Sequence, residues 1–101
     1  MTKSNRVLLY GTLIEKQALR VTPAGIPVLE FVLLHESEQL ENDTPRRVTL
    51  EEPARASGPP AQALSQLQIG QELKVAGFLV SMGQKFRRRL VLHIEQYELL
   101  N

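Results

Sequence analysis

The chain contains no cysteine and no tryptophan, and its aromatic residues are limited to two Tyr and three Phe in 101 residues. Without cysteine it has no disulfides, thiolate chemistry or Cys-rich zinc sites, which fits a reducing compartment, and we expect a cytoplasmic protein. Long apolar runs are also absent. The N-terminal run is interrupted at Tyr10, Gly11 and Thr12, and none approaches the roughly 18 residues of a membrane helix. The sequence therefore predicts neither a secretion signal nor a membrane span.

An excess of one charge is lacking as well. Lys and Arg number 12 against 11 Asp and Glu, for a net charge of +1. This is too little for the whole molecule to act as a polycation toward nucleic acid or an anionic membrane, so any such affinity must come from local clustering. With 43% hydrophobic and 23% charged residues, the composition predicts one globular domain over residues 1–101.

The first third of the chain predicts two strands joined by a tight turn. Residues 6–14 are rich in β-formers, with Gly11 marking a bulge or bend, and residues 18–21 continue this first strand. Thr-Pro-Ala-Gly at 22–25 has the Pro and Gly spacing of a reversal. The second strand is predicted at residues 26–35, where a Pro near the start is tolerated.

A weaker strand and a short helix are predicted in the middle of the chain. Residues 36–45 hold four acidic residues and no base, so we expect an acidic loop there before a third strand at 46–52. Residues 53–60 are expected to be irregular. Pro60, the apolar stripe within residues 61–68 and a Gly stop then indicate a short helix.

Two more strands, at residues 71–82 and 89–100, place alternate apolar residues on one face. The predicted order is three strands, a short helix and two strands. This is the connectivity of the OB-fold, an all-β, five-stranded Greek-key barrel with a helix between the third and fourth strands. The first two strands are apolar on both faces, whereas a barrel buries one, so we expect a homodimer through part of the outer face of strand one or two.

A basic cluster lies at the hairpin between the fourth and fifth strands. OB-folds bind oligonucleotides with this hairpin loop, with the loop after strand one and with the face of strands two and three. A single strand presents spaced phosphates and unstacked bases, so its binder needs cations along the backbone and flat side chains for bases. The predicted DNA-binding residues here are Lys85, Phe86, Arg87, Arg88 and Arg89.

Three further cations could reach the same groove. Arg46 and Arg47 open the third strand, and Arg20 lies near the first turn. The acidic loop would then lie off the binding track. The alternative is that the basic cluster is a solvated surface hairpin, which is the common fate of such runs, and only its position on an OB-fold favours binding.

Metal binding, catalysis and cofactors have little support. His35 and His93 are the only histidines, and neither has a second His or a carboxylate at a metal-ligand spacing. His35, Glu36 and Ser37 are catalytic residue types, but neighbours on a strand point to opposite faces. No phosphate-loop or dinucleotide-binding motif is present, so no cofactor is expected.

Three segments resemble the primosomal replication protein N family, small bacterial relatives of the single-stranded-DNA-binding proteins. They are residues 5–13 (NRVLLYGTL), 22–33 (TPAGIPVLEFVL) and 91–99 (VLHIEQYEL). The resemblance implies an OB-fold homodimer that binds single-stranded DNA in the cytoplasm and assists the restart helicase and other primosome proteins. The family's basic hairpin loop corresponds in general position to the cluster at 85–89, although the loop here is shorter.

The chain departs from this family at one position. The third strand of the family can carry a tryptophan that stacks on bases, whereas Thr49 stands there in this sequence, followed by Glu51 and Glu52. Each lost stack removes about 1–3 kcal/mol, so we expect weaker DNA binding that depends steeply on salt. Two alternatives stay open: an adaptor whose main ligand is the helicase, and an RNA-binding OB module.

Overall fold

The computed structural model describes residues 3–101, and five of its strands close into a barrel. Strand β1 pairs with both β3 and β5, β5 pairs with β6, and β3 pairs with β4, all antiparallel. A short parallel contact between β4 and β6 closes the ring, and β2 is a two-residue extension beside β3. The elements are β1 (Val7–Lys16), β2 (Arg20–Val21), β3 (Pro27–Glu41), β4 (Thr44–Ser57), α1 (Pro59–Leu64), β5 (Glu72–Ser81) and β6 (Leu90–Leu99).

This architecture confirms the predicted all-β OB-fold with one short helix between the third and fourth long strands. The core follows from alternation along the strands, because every second side chain points into the barrel. Its most deeply buried members include Leu13, Leu29, Leu33, Leu73 and Leu92. Neither the single α-helix among residues 3–101 nor the 3-10 turn is long enough to cross a membrane.

Helix α1 covers one end of the barrel. Pro59 occupies its first position, where a missing N–H costs nothing, and Ala61 and Leu64 are buried against the core. The Lys16 ammonium donates to the carbonyl oxygens of Ser65, at 2.8 Å, and Leu67, at 2.6 Å. These contacts satisfy carbonyls that the helix end leaves without partners.

Strands β5 and β6 cross closely at a bulge. Their register shifts between Ala76 and Gly77, and a Cβ on Gly77 would overlap the carbonyl oxygen of His93. Glycine is therefore required at position 77 for this approach of the two backbones. The crossing fixes the backbone of His93 beside that of β5.

The expectation of an acidic loop was wrong. Residues 36–41 continue β3, and β4 begins at Thr44, so the two strands form one long hairpin. Asn42 and Asp43, at φ 53° and 60°, make the two-residue turn, a conformation that Asn and Asp tolerate. Residues 53–57, expected to be irregular, belong to β4. Polarity misled the prediction, because here both faces of the hairpin meet solvent.

We call residues 36–52 the arm. Beyond Leu34, β3 no longer pairs with β1, and β4 is paired with β6 at Ala54 and Arg55, after the arm has ended. Within the part of the chain that the structure describes, the two strands of the arm are therefore paired only with each other. The arm projects from the barrel as a solvent-exposed two-stranded ribbon.

Candidate nucleic-acid interface

The basic cluster lies in a compact turn between β5 and β6, residues 82–89, which we call the basic loop. The Met82 N–H donates to the Arg89 carbonyl at 2.9 Å and closes the loop at its base. A 3-10 turn at Gln84–Phe86 fills its middle. Gly83 has φ 148°, a conformation that other residues rarely adopt. These backbone bonds hold the cations on a defined turn.

The charges of the basic loop are open. Among residues 3–101, no carboxylate lies within ion-pairing distance of the four cations Lys85, Arg87, Arg88 and Arg89. The Arg89 guanidinium carbon lies 4.9 Å from the centroid of the Phe86 ring, a cation–π contact. Phe86 itself is 46% exposed. The loop thus combines four available cations with one accessible aromatic ring.

Arg20 lies in an ion-paired cluster that retains positive charge. Its guanidinium is 3.3 Å from Oε1 of Glu30, and the guanidinium of Arg55 is 4.0 Å from the same oxygen. Two cations thus share one carboxylate, and the group has a net charge of +1. Part of the charge of Arg20 is therefore still available to a ligand.

Arg46 and Arg47 lie in different surroundings, on the arm. Arg46 pairs with Glu41 at 3.5 Å, and Arg47 pairs with Glu36 at 3.1 Å. The arm holds six acidic and two basic residues, for a net charge of −4, so the rest of the chain, with ten basic and five acidic residues, carries +5. The structure does not bring these two arginines into one open cluster with the basic loop.

A groove crosses the outer face of the barrel beside the basic loop. Its cavity volume is about 400 Å³. The residues that we use to define the groove are Val32, Pro53, Arg55, Met82, Val91 and His93. It connects the loop to the Arg20 cluster, since Glu30 also lines it. The groove reaches the base of the basic loop at Met82, while the four cations of the loop line a separate shallow concavity of about 400 Å³.

Arg55 and His93 were missed by sequence reasoning. They are partners in the parallel contact between β4 and β6, and the predicted third strand ended before position 55. The alternation of Pro53, Ala54, Arg55 and Ala56, with the two alanines buried, would have continued the strand. Their juxtaposition depends on a pairing between distant segments that local patterns do not carry.

The two histidines have separate roles. His35 is 9% exposed, and its Nδ1 lies 2.7 Å from the Tyr10 carbonyl, so Nδ1 carries the proton and Nε2 accepts from the Ser37 hydroxyl. His93 instead packs against Phe78, with ring centroids 5.3 Å apart. Burial, aided by the nearby Arg55 charge, lowers the pKa of His93. His35 is thus structural, while His93 faces the groove.

Comparison with known proteins gives the family of this chain. Residues 5–96 match the model described as another single-strand binding protein family. Replication restart protein PriB of Erwinia tasmaniensis is 39% identical over 100 residues, which cover 97% of this chain and 95% of that protein. PriB of Bordetella pertussis is 41% identical over 92 residues, covering 91% and 85%. This chain belongs to the PriB family.

Solved structures agree with this assignment. PriB from Ralstonia solanacearum, 31% identical, has a TM-score of 0.88 and covers 98% of this chain and 100% of that one. The single-stranded DNA binding protein from Thermus aquaticus, 26% identical, has a TM-score of 0.77; the match covers 97% of this chain and 50% of that one. The resemblance noted at residues 5–13, 22–33 and 91–99 is confirmed.

Thr49, which the resemblance noted above places where the family can carry a tryptophan, lies on the arm. Thr49 is paired with Glu36 across the hairpin and has Glu51 as its next neighbour on the same face. No aromatic side chain from the described arm takes its place. Any base contact in the groove must therefore come from the barrel and the basic loop.

A second exposed surface lies on the outer face of β1 and β5. Leu8 is 63% exposed and Tyr10 is 37% exposed, and they pair with Ala76 and Lys74 of β5. A shallow concavity of about 440 Å³ crosses this face. It is separate from the groove, because the two share no lining residue. The concavity is lined by Arg6, Leu8, residues 74–76 and residues 96–98.

Proposed function

We propose that this chain is a non-enzymatic accessory protein of replication restart that binds single-stranded DNA through the basic loop and the groove. The observation that carries the proposal is the set of four cations without a carboxylate partner among residues 3–101, on a loop whose base lines an open groove of a PriB-family OB-fold. Such cations neutralise phosphates without reading sequence. The family's single-strand-binding relatives support the choice of ligand.

The predicted contact residues contribute unequally in this proposal. Lys85, Arg87, Arg88 and Arg89 carry most of the phosphate binding, and Phe86 stacks on a base. Arg20 extends the track at the far end of the groove, because its cluster keeps one positive charge. Arg46 and Arg47 contribute least, since each is balanced by a carboxylate on an arm that repels the DNA backbone.

We also propose that two copies associate through the outer face of β1 and β5. An exposed Leu8 beside Tyr10 is costly in a monomer and is the kind of surface that a two-fold interface buries. The dimer would present two grooves to one strand of DNA. Sedimentation at micromolar concentration tests this, with Leu8→Asp expected to shift a dimeric mass to a monomeric one.

A second candidate function is that of an adaptor for the restart helicase and other primosome proteins. It is favoured by the arm, which projects with a net charge of −4 and pairs only with itself, and by Thr49 at the stacking position. In that case DNA binding is weak, and stimulation of the helicase is the main activity.

A titration separates these candidates. We expect labelled oligothymidine to bind the wild type at low salt and to bind the Arg87→Ala, Arg88→Ala, Arg89→Ala variant at least tenfold more weakly. Fluorescence anisotropy measures both affinities. No detectable binding by the wild type at low salt would favour the adaptor. Tighter binding of a matched RNA strand would instead favour the RNA-binding alternative.

A further inference from the structure

The outer face of the groove is arranged in two rows that run across the strands. One row carries polar groups on three of its four strands: Glu30 of β3 is paired with Arg55 of β4, and Arg55 lies beside His93 of β6. The row ends at Phe78 of β5, the partner of His93. The next row is apolar and lies one step closer to the basic loop. Its members are Val32, Pro53, Val91 and Val80.

Three members of the apolar row, Val32, Pro53 and Val91, form a flat apolar surface that we call the platform. Val32 and Pro53 are cross-strand partners, and Val91 belongs to the next strand of the ring, so their side chains stand side by side on a nearly continuous surface. All three are only half-buried. Met82, 47% exposed, stands at the rim where the basic loop begins. A flat apolar group could lie on this platform without displacing any of them.

The polar row can hydrogen-bond to the edge of such a group. Arg55 is only loosely held by Glu30, at 4.0 Å, and the Oε1 of Glu30 is shared with Arg20. Among the described residues, no hydrogen bond occupies the ring nitrogens of His93, in contrast to those of His35. Its lowered pKa favours the neutral ring, which has one donor and one acceptor.

These features fit a nucleobase better than an anion. Glu30 partly neutralises Arg55, and the neutral His93 ring adds no charge, so this row attracts a phosphate less than the basic loop does, whereas a base has a flat face for the platform and a polar edge for the row. The volume of about 400 Å³ leaves room for one base and part of its sugar. The polynucleotide backbone can remain outside, on the cations of the loop.

We propose that the groove is a nucleobase subsite: one base of the bound strand lies on Val32, Pro53 and Val91, with its edge at Arg55 and His93. The inference rests on the proposed function. Val91 follows Arg89 by two residues, or about 7 Å along the strand. A single strand of DNA whose phosphates contact the basic loop therefore brings its bases over the platform. This subsite takes the place of the absent aromatic at position 49.

The test compares oligothymidine with an abasic oligomer of the same length and charge. We expect the wild type to prefer oligothymidine, and the preference to persist in Phe86→Ala, which removes the other candidate stack. The variant Arg55→Lys, His93→Gln keeps the charge of position 55 but loses the edge contacts. It should bind oligothymidine about fivefold more weakly and leave abasic binding nearly unchanged. The loop variant Arg87→Ala, Arg88→Ala, Arg89→Ala should weaken both.

Failures of the two proposals are distinguishable. If neither oligomer binds the wild type at low salt, the proposed function is wrong. If both bind equally well, or if the groove variant weakens both by the same factor, the function stands and the subsite is overturned. Photo-crosslinking of wild-type protein with a 5-iodouracil oligomer gives a second reading that needs no variant. Adducts are expected on residues 82–93, and adducts confined to the arm would also overturn the subsite.

Discussion

Two hairpins of this barrel carry clustered arginines, and they differ in what surrounds those arginines. On the arm, Arg46 and Arg47 lie across from a strand rich in glutamate and are paired with Glu41 and Glu36. On the basic loop, four cations stand within five residues, and no carboxylate of residues 3–101 pairs with them. We therefore expect that the number of cations alone does not set the affinity of a segment for a polyanion, because carboxylates on the partner strand cancel their charge.

The ion pairs of the arm are too exposed to contribute much to stability. Exposed pairs of this kind contribute about 0.2–1 kcal/mol, and the side chains of Arg47 and Glu36 are 76% and 49% exposed. Their main effect is on the surface potential, because they cancel charge that would otherwise be open to a polyanion. The basic loop avoids this cancellation because it is a tight turn with no acidic strand beside it.

The largest expected effect comes from reversing charge on the basic loop. Lys85→Glu with Arg88→Glu should weaken oligothymidine binding on the order of 30-fold at low salt, because two phosphate contacts become repulsive. The matched control, Arg46→Glu with Arg47→Glu, changes the net charge equally and should cost less than about threefold. Anisotropy titrations measure both. Equal losses would remove the distinction between the hairpins.

Freeing the arginines of the arm should make it resemble the basic loop. Glu36→Gln with Glu41→Gln removes the partners of Arg47 and Arg46, and we expect oligothymidine affinity to rise about threefold at low salt. Glu15→Gln with Glu95→Gln, at exposed positions away from the arm, makes the same change in net charge and serves as the control. A rise that the control reproduces would mean that only total charge matters.

The turn of the basic loop and the turn of the arm should differ in how a substitution changes the free energy of unfolding. Gly83 of the basic loop has φ 148° and ψ 174°, a region open essentially to glycine, so Gly83→Ala should lower the free energy of unfolding by about 1 kcal/mol or more. Asp43 of the arm has φ 60°, and Asp43→Gly should raise it by a few tenths of a kcal/mol. Urea denaturation measures both. An unchanged free energy of unfolding in Gly83→Ala would show that the loop is not held in this conformation.

The smallest effect concerns Glu52, where the arm joins the barrel. Its Oε2 is buried without a partner among the described residues, and burial raises the pKa of this carboxyl. The folded state therefore binds the proton more readily than the unfolded one. The resulting stabilisation is present below the unfolded pKa of about 4.5 and is lost as pH rises through the folded pKa. Melting temperatures between pH 4 and 7 should thus fall less in Glu52→Gln than in wild type, whereas parallel curves would contradict this.

The sequence predicted those parts of the fold that depend on local patterns. Alternation located the inner residues of β5 and β6, and the Pro-Gly turn at 22–25 lies between β2 and β3 as expected. The basic loop was found because its charge is contiguous. The ion pairs of the arm were missed, because they require the register that brings Arg47 opposite Glu38 and near Glu36. Asn42 and Asp43 were the available hint of that hairpin.

The groove could not be predicted for a different reason. Arg55 and His93 lie 38 residues apart in the sequence, and only the parallel closure of the barrel places them side by side. Single-sequence patterns indicate which face of a strand is apolar. They carry no information on which two strands close a barrel, so a site that spans the closure appears only in the structure.

The salt dependence of binding tests the central claim most directly. Affinity for oligothymidine should be measured against salt concentration for the wild type, for Arg87→Ala, Arg88→Ala, Arg89→Ala, and for Arg46→Ala, Arg47→Ala. Each phosphate contact on a single strand contributes about 0.7 to the logarithmic slope. We predict that the loop variant lowers the slope by about 2 and that the arm variant leaves it unchanged. Equal reductions in the two variants, or an unchanged slope in the loop variant, would contradict the account.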